Sequence, residues 1–146
     1  MLRREFLTGL TGLALAAPTS VQAQALFRTV IEVSSGDPDV MVRALNIVLE
    51  TGRYHIAYRE SAEIRVIAVG EGMTMLRADT SPVLDRVTFV SRSIPLASWH
   101  VASEDVAAAA ASAGTLPPLI AGVTAIENGA AEANRLQTEG WSLIKL

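Results

Sequence analysis

The sequence contains no cysteine. That excludes a disulfide, a thiolate nucleophile, a thiolate-held metal and a protein persulfide anywhere in it. Histidine is almost as scarce: two residues are too few for a structural zinc site. The apolar run from Gly9 to Ala17 falls well short of the ~20 residues that span a bilayer. Basic charge is not in excess, and a net formal charge of −3 offers no nucleic-acid surface. "GDP" and "GEG" are neither phosphate-loop nor dinucleotide fingerprints, and there is no EF-hand order, Gly-x-Ser-x-Gly elbow or internal repeat. What is present is an apolar half and only 18% charged residues, which supports a buried core and argues against disorder.

The first 23 residues have the layout of a secretory leader. Arg3 and Arg4 head it, "GLTGLALAA" follows, Pro18 breaks the run, and Val21-Gln22-Ala23 offers a small-residue cleavage site. "RREFL" is similar to a twin-arginine export signal, which implies export after folding. Cleavage after Ala25, at "AQA", fits equally, and an uncleaved anchor or a disordered tail is the alternative. Residues 24–146 are then expected to form a single domain carrying a charge of −4, periplasmic and without a stable membrane anchor once cleaved.

Four strand-then-helix units and a last strand follow. The strands are expected at 27–34, 64–69, 96–102, 119–126 and 141–146. The first helix is expected from Pro38 to Thr51, capped by Asp37 and stopped by Gly52. A broken helix at 73–94 has Ser81 and Pro82 opening its second part, with "VTFV" as a strand kept as an alternative. Further helices are expected at 103–113, ended by Gly114, and at 128–138. Strict β-α alternation predicts an α/β three-layer sandwich, a five-stranded parallel sheet of order 2-1-3-4-5 with helices on both faces.

That order sets the turn after strand one, Ser34-Ser35-Gly36-Asp37, against the turn after strand three, Ala102-Ser103-Glu104-Asp105. Ligands of open α/β sheets bind at such a crevice, so Ser34, Ser35, Gly36, Asp37, Ala102, Ser103 and Glu104 are the candidate binding residues. Gly70 of the second turn and His100 near the end of strand three join them. Helix N-termini favour anions. Here, however, Asp37, Asp39, Glu104 and Asp105 already occupy both helix starts, so a phosphate would meet up to four carboxylates. The plain reading of these acids is helix capping. The sharper readings are a hard-cation site or an acid–base pair, and nothing separates an acid from a base. His55 lies in the polar connector "GRYHIAYRESAE" and is expected to be exposed. The run Ala107–Ala111 is smooth enough to let another backbone close in, from the chain's own sheet or from a partner subunit.

Taken together, "VIEVSSGDPDVMVRALNIVLETG", "IRVIAVGEGMTML" and "LPPLIAGVTAIENGAAEANRLQTEGWSLIKL" resemble the DsrE/DsrF-like family of sulfur-relay proteins over residues 27–146. Gly36-Asp37, Ala44-Leu45-Asn46 and Glu139-Gly140 carry the likeness. The resemblance implies a flavodoxin-like fold, a homotrimer or homohexamer and ancestry in sulfur handling. Family members often place a cysteine after strand three, where this sequence has Ala102. A methyl group carries no persulfide, so relay chemistry is not carried over. The expectation is a non-catalytic protein binding a small ligand or partner, with no cofactor, no metal and no catalytic residue. The alternatives are an enzyme using Asp37, Glu104, Asp105 or His100, and an interaction subunit pairing with a cysteine-bearing homologue.

Overall fold

The computed structural model describes residues 25–146; the leader reading falls outside them. The elements alternate as the sequence predicts: β1 (Phe27–Val33), α1 (Pro38–Ala57), β2 (Ala62–Ala68), a 3₁₀ stretch (Gly70–Leu76), α2 (Leu84–Ser93), β3 (Ala97–Ala102), α3 (Ser103–Ala113), β4 (Val123–Ile126), α4 (Gly129–Thr138) and β5 (Ser142–Lys145). All five strands are parallel in one sheet. The α/β sandwich with helices on both faces is therefore as expected.

The strand order is not. It is β4-β3-β2-β1-β5, where 2-1-3-4-5 was expected. The physical reason lies in β2. Ile64, Val66, Ile67 and Ala68 are all buried, and a strand apolar on both faces belongs inside a sheet. The expected order would have put it at an edge. The true edges, β4 and β5, are four residues long and have no fully buried residue.

Three successive crossovers step in one direction, from β1 to β4. Right-handed connections then put α1, α2 and α3 on the same face. The last crossover returns past three strands to β5 and puts α4 alone on the other face. The core follows this asymmetry. A large cluster joins Ile31, Leu45, Val66, Val87 and Trp99 on the three-helix face. A small one joins Val30, Ile67, Ala102, Ala133, Leu136 and Trp141 under α4.

α1 starts as predicted, with Asp37 accepting from the Asp39 amide at 2.9 Å and Pro38 in the first turn. It does not stop at Gly52 but runs to Ala57. Gly52 is there for space: a Cβ would stand 2.4 Å from Ile94 Cγ2. His55 is consequently buried in the last turn, not exposed in a connector. The "VTFV" segment is helical, within α2. α3 ends at Gly114, whose φ of 80° only glycine adopts freely.

Candidate functional site

The four turns after β1, β2, β3 and β4 line the carboxyl edge of the sheet. Because β2 separates β1 from β3, the turns at 34–37 and 102–105 do not form a crevice with each other. The turn of β2 stands between them and touches both. A Cβ on Gly36 would lie 3.3 Å from Glu71 Cβ. The Gly70 amide donates to Asp105 Oδ2 at 2.6 Å. The switch point of this topology lies instead between β3 and β4, whose outgoing helices leave to opposite faces.

Asp37, Glu104 and Asp105 accept hydrogen bonds from backbone amides, as capping predicts, but the last two cap neighbouring elements. Glu104 reaches from the start of α3 to the start of α4, where its two oxygens accept from the Asn128 and Gly129 amides, each at 3.1 Å. Asp105 holds the start of the 3₁₀ stretch. Backbone N–H groups, its own first and then those of Asn128 and Gly129, with help from the Ser103 hydroxyl, hold the Glu104 carboxyl below the usual range. The other residues are placed as follows. Ser34 Oγ donates to the Leu146 carbonyl at 3.2 Å, and Ser35 Oγ accepts from the Asp37 amide at 3.0 Å. An anion arriving at α4 would find its two amides already taken.

Ala102 closes this edge from below. It is 1% exposed, and a Cβ built on Gly129 would stand only 2.9 Å from its Cβ. The first turn of α4 is seated directly on Ala102.

His100 shares Ala102's face but lies deeper along β3. Its Nδ1 is 2.7 Å from Thr124 Oγ1 and its Nε2 2.9 Å from Ser98 Oγ. Burial, and then the nearby Arg65 charge, push its pKa below the ordinary 6.5, against the pull of Glu132. The ring is therefore neutral at pH 7, donating to one hydroxyl and accepting from the other. The unfolded chain binds this proton at a higher pH than the folded one does. Stability is thus complete above 6.5 and falls as the pH drops toward the lowered folded value. His100→Gln is expected to flatten that part of a Tm-against-pH curve. An unchanged slope would show that His100 does not carry it.

Beside the switch point, the flank of α4 bounds a groove of about 450 Å³ lined by Glu127, Asn128, Ala131, Glu132 and Arg135. None of these residues was singled out from the sequence. Asn128-Gly129 was the available signal: Asn128 has φ 51°, the turn conformation that asparagine tolerates. Arg135 is bound to Glu132 and Glu139, and Arg65 reaches Glu132 at 3.9 Å. Among the described residues no cluster of three His, Asp or Glu is arranged to hold a metal.

No protein-family model and no curated protein matches the sequence. Among solved structures, the chain is similar to MTH1491, a protein of unknown function from Methanobacterium thermoautotrophicum. Identity is 26% over 82% of this chain and 99% of that one, with a TM-score of 0.66. It is also similar in fold to the ychN protein of E. coli, at 11% identity over 82% of this chain and 100% of that one, with a TM-score of 0.57. Both neighbours have the DsrE/DsrF-like fold, and this chain shares it.

Proposed function

We propose that the chain is an exported, non-catalytic relative of the sulfur-relay proteins that works in the periplasm by binding a small ligand or a partner. Its site is the carboxyl edge of the sheet at the β3–β4 switch point. The groove is lined by Glu127, Asn128, Ala131, Glu132 and Arg135; Ser103 and Glu104 stand beside it at the start of α3, with Glu104 bonded to the Asn128 amide, and His100 lies deeper on β3. Ser34, Ser35, Gly36, Asp37 and Gly70 lie farther along the same carboxyl edge, outside the groove. One observation carries this reading: a groove of about 450 Å³ opens beside the switch point, while the position that would hold reactive sulfur is filled by a buried methyl group. The carboxylates that an acid–base enzyme would use at this edge are engaged by backbone amides, which favours binding over catalysis.

A second reading, self-association as a trimer or hexamer or pairing with a cysteine-bearing homologue, is favoured by α3. None of its eleven residues is buried, and Leu116 just beyond it is 73% exposed. Only Val106 and Ala109 pack on the core, each partly buried, and a helix so lightly held gains from another surface that covers it.

One experiment tests both. Native mass spectrometry of the protein recovered from the periplasm should show a co-purifying ligand or subunit. Arg135→Ala should lose the ligand, and Ala108→Glu should break the oligomer. A bare monomer in every preparation would overturn both readings.

A further inference from the structure

The opposite end of the sheet, where the strands begin, holds a feature that the carboxyl-edge site leaves unused. The last turn of α1 packs against the start of β1. The Phe27 ring stacks on the His55 imidazole, with centroids 4.9 Å apart. Tyr54 meets His55 edge-on at 5.4 Å, and the Tyr54 and Tyr58 rings are 4.7 Å apart. His55 is buried at the centre and lies 2.7 Å from Glu60 Oε2. The rings around it are not: Phe27, Tyr54 and Tyr58 are all exposed, Tyr58 at 65%. Three exposed aromatic side chains in one patch mark a contact surface more than scattered ones would.

The corner that leads out of α1 is tightly specified. Arg59 has φ 55°, in the left-handed region that a long side chain seldom adopts. The Glu60 amide donates to the His55 carbonyl at 2.9 Å, and the Phe27 amide to the Ser61 carbonyl at 2.9 Å. These bonds fix Phe27, Tyr58 and Glu60 around a cavity of about 260 Å³, with Ala25, Arg59 and Ser61 completing its wall. The Glu60 side chain is 28% exposed, so its carboxylate is shared between His55 and solvent.

Two aromatic walls and a carboxylate select one kind of ligand. Ring faces attract positive charge through their quadrupole, and nitrogen-bound methyl groups lower the hydration that a bare ammonium would have to lose. An anion would be repelled by Glu60. We infer that this cavity binds an organic ammonium group, with Phe27 and Tyr58 as walls and Glu60 as counter-charge. The group has two sources. One is a soluble methylated amine. The other is the chain's own α-ammonium, released if cleavage follows Ala23, two residues before Ala25, which lines the cavity. Arg59 on the same wall opposes either cation.

Tetramethylammonium chloride titrated into the full chain, followed by NMR, is expected to give saturable shifts confined to residues 25–27 and 54–61. Sodium chloride at equal ionic strength and the neutral alcohol 3,3-dimethylbutanol, which carries a tert-butyl group in place of a methylated ammonium, should give none. Tyr58→Leu should weaken binding about fivefold, a loss typical of one cation–ring contact. Glu60→Gln should weaken it as well, and Arg59→Gln should tighten it. Repeating the titration on the processed chain separates the sources. Equal binding identifies a soluble amine; loss of binding that α-amine acetylation restores identifies the chain's own terminus. The inference is overturned if neither the full chain nor the acetylated processed chain binds. It is equally overturned if the alcohol binds as well as the cation, or if Tyr58→Leu and Glu60→Gln both leave binding unchanged.

Discussion

Gly72→Ala is expected to destabilise the protein by about 4 kcal/mol or more, a large share of the roughly 5–15 kcal/mol that holds a domain folded. The cause is space, not backbone freedom. A Cβ at Gly72 would stand 2.0 Å from the Val33 carbonyl oxygen and 2.7 Å from its carbon. Neither atom can yield. The same carbonyl accepts from the Val69 amide at 2.9 Å, and the next residue along, Ser34, donates its amide to Leu146 at 2.9 Å. The 3₁₀ stretch would have to lift away, taking buried Met73, Met75 and Leu76 with it. Gly52→Ala is the control. Its added carbon meets Ile94 Cγ2 at 2.4 Å, but that is a side chain that can turn, and overpacking of this kind costs about 1–3 kcal/mol. Urea unfolding of both variants measures the difference. A Gly72→Ala protein within about 1 kcal/mol of the parent would show that the turn is not seated on β1.

Ala102→Cys is expected to introduce a thiol without introducing a reactive one. Its thiol should react with a disulfide reagent on the order of a hundredfold more slowly in the folded protein than in denaturant, because reaction must wait for local opening. Ala102 is 1% exposed, and Gly129 and Val69 press on it from above. The start of α3 would favour a thiolate, but Glu104 and Asp105 stand beside it and burial opposes ionisation. Fitting the sulfur beneath α4 should also destabilise the fold by about 1–3 kcal/mol. Reaction at the rate of a free thiol would mean that α4 lifts readily from the sheet, and that the sealed edge described above is open in solution.

The alternation of strands and helices was readable because each unit carries its own period and stop signal. Asp37-Pro38 and Gly114 are local devices and act where the sequence places them. Strand order is not local, yet one clue was available. "IRVIAV" is too apolar for an edge, and giving that weight would have placed β2 between β1 and β3. Gly52 misled because a glycine that ends a helix and a glycine that lets a side chain close in look identical in one dimension. The carboxylates were legible as caps, but their targets were not. Which amide Glu104 reaches depends on where β4 lies, and β4 joins the sheet through only four residues. The aromatic patch at the other end is not legible in the sequence because the polar string around His55 reads as a loop, which gives Phe27 and Tyr58 nothing to share.

β5 lies beside β1, and the Ser34 hydroxyl meets the Leu146 carbonyl across 112 positions of sequence. β1 thus gains its second neighbour only once β5 has been made. Until then one margin of β1 stays bare, ready to pair with a foreign strand. Sheet completion is slow for the size of the sheet because it joins strands far apart in sequence. A chain lacking β5 would keep most of its buried volume and still present an adhesive border.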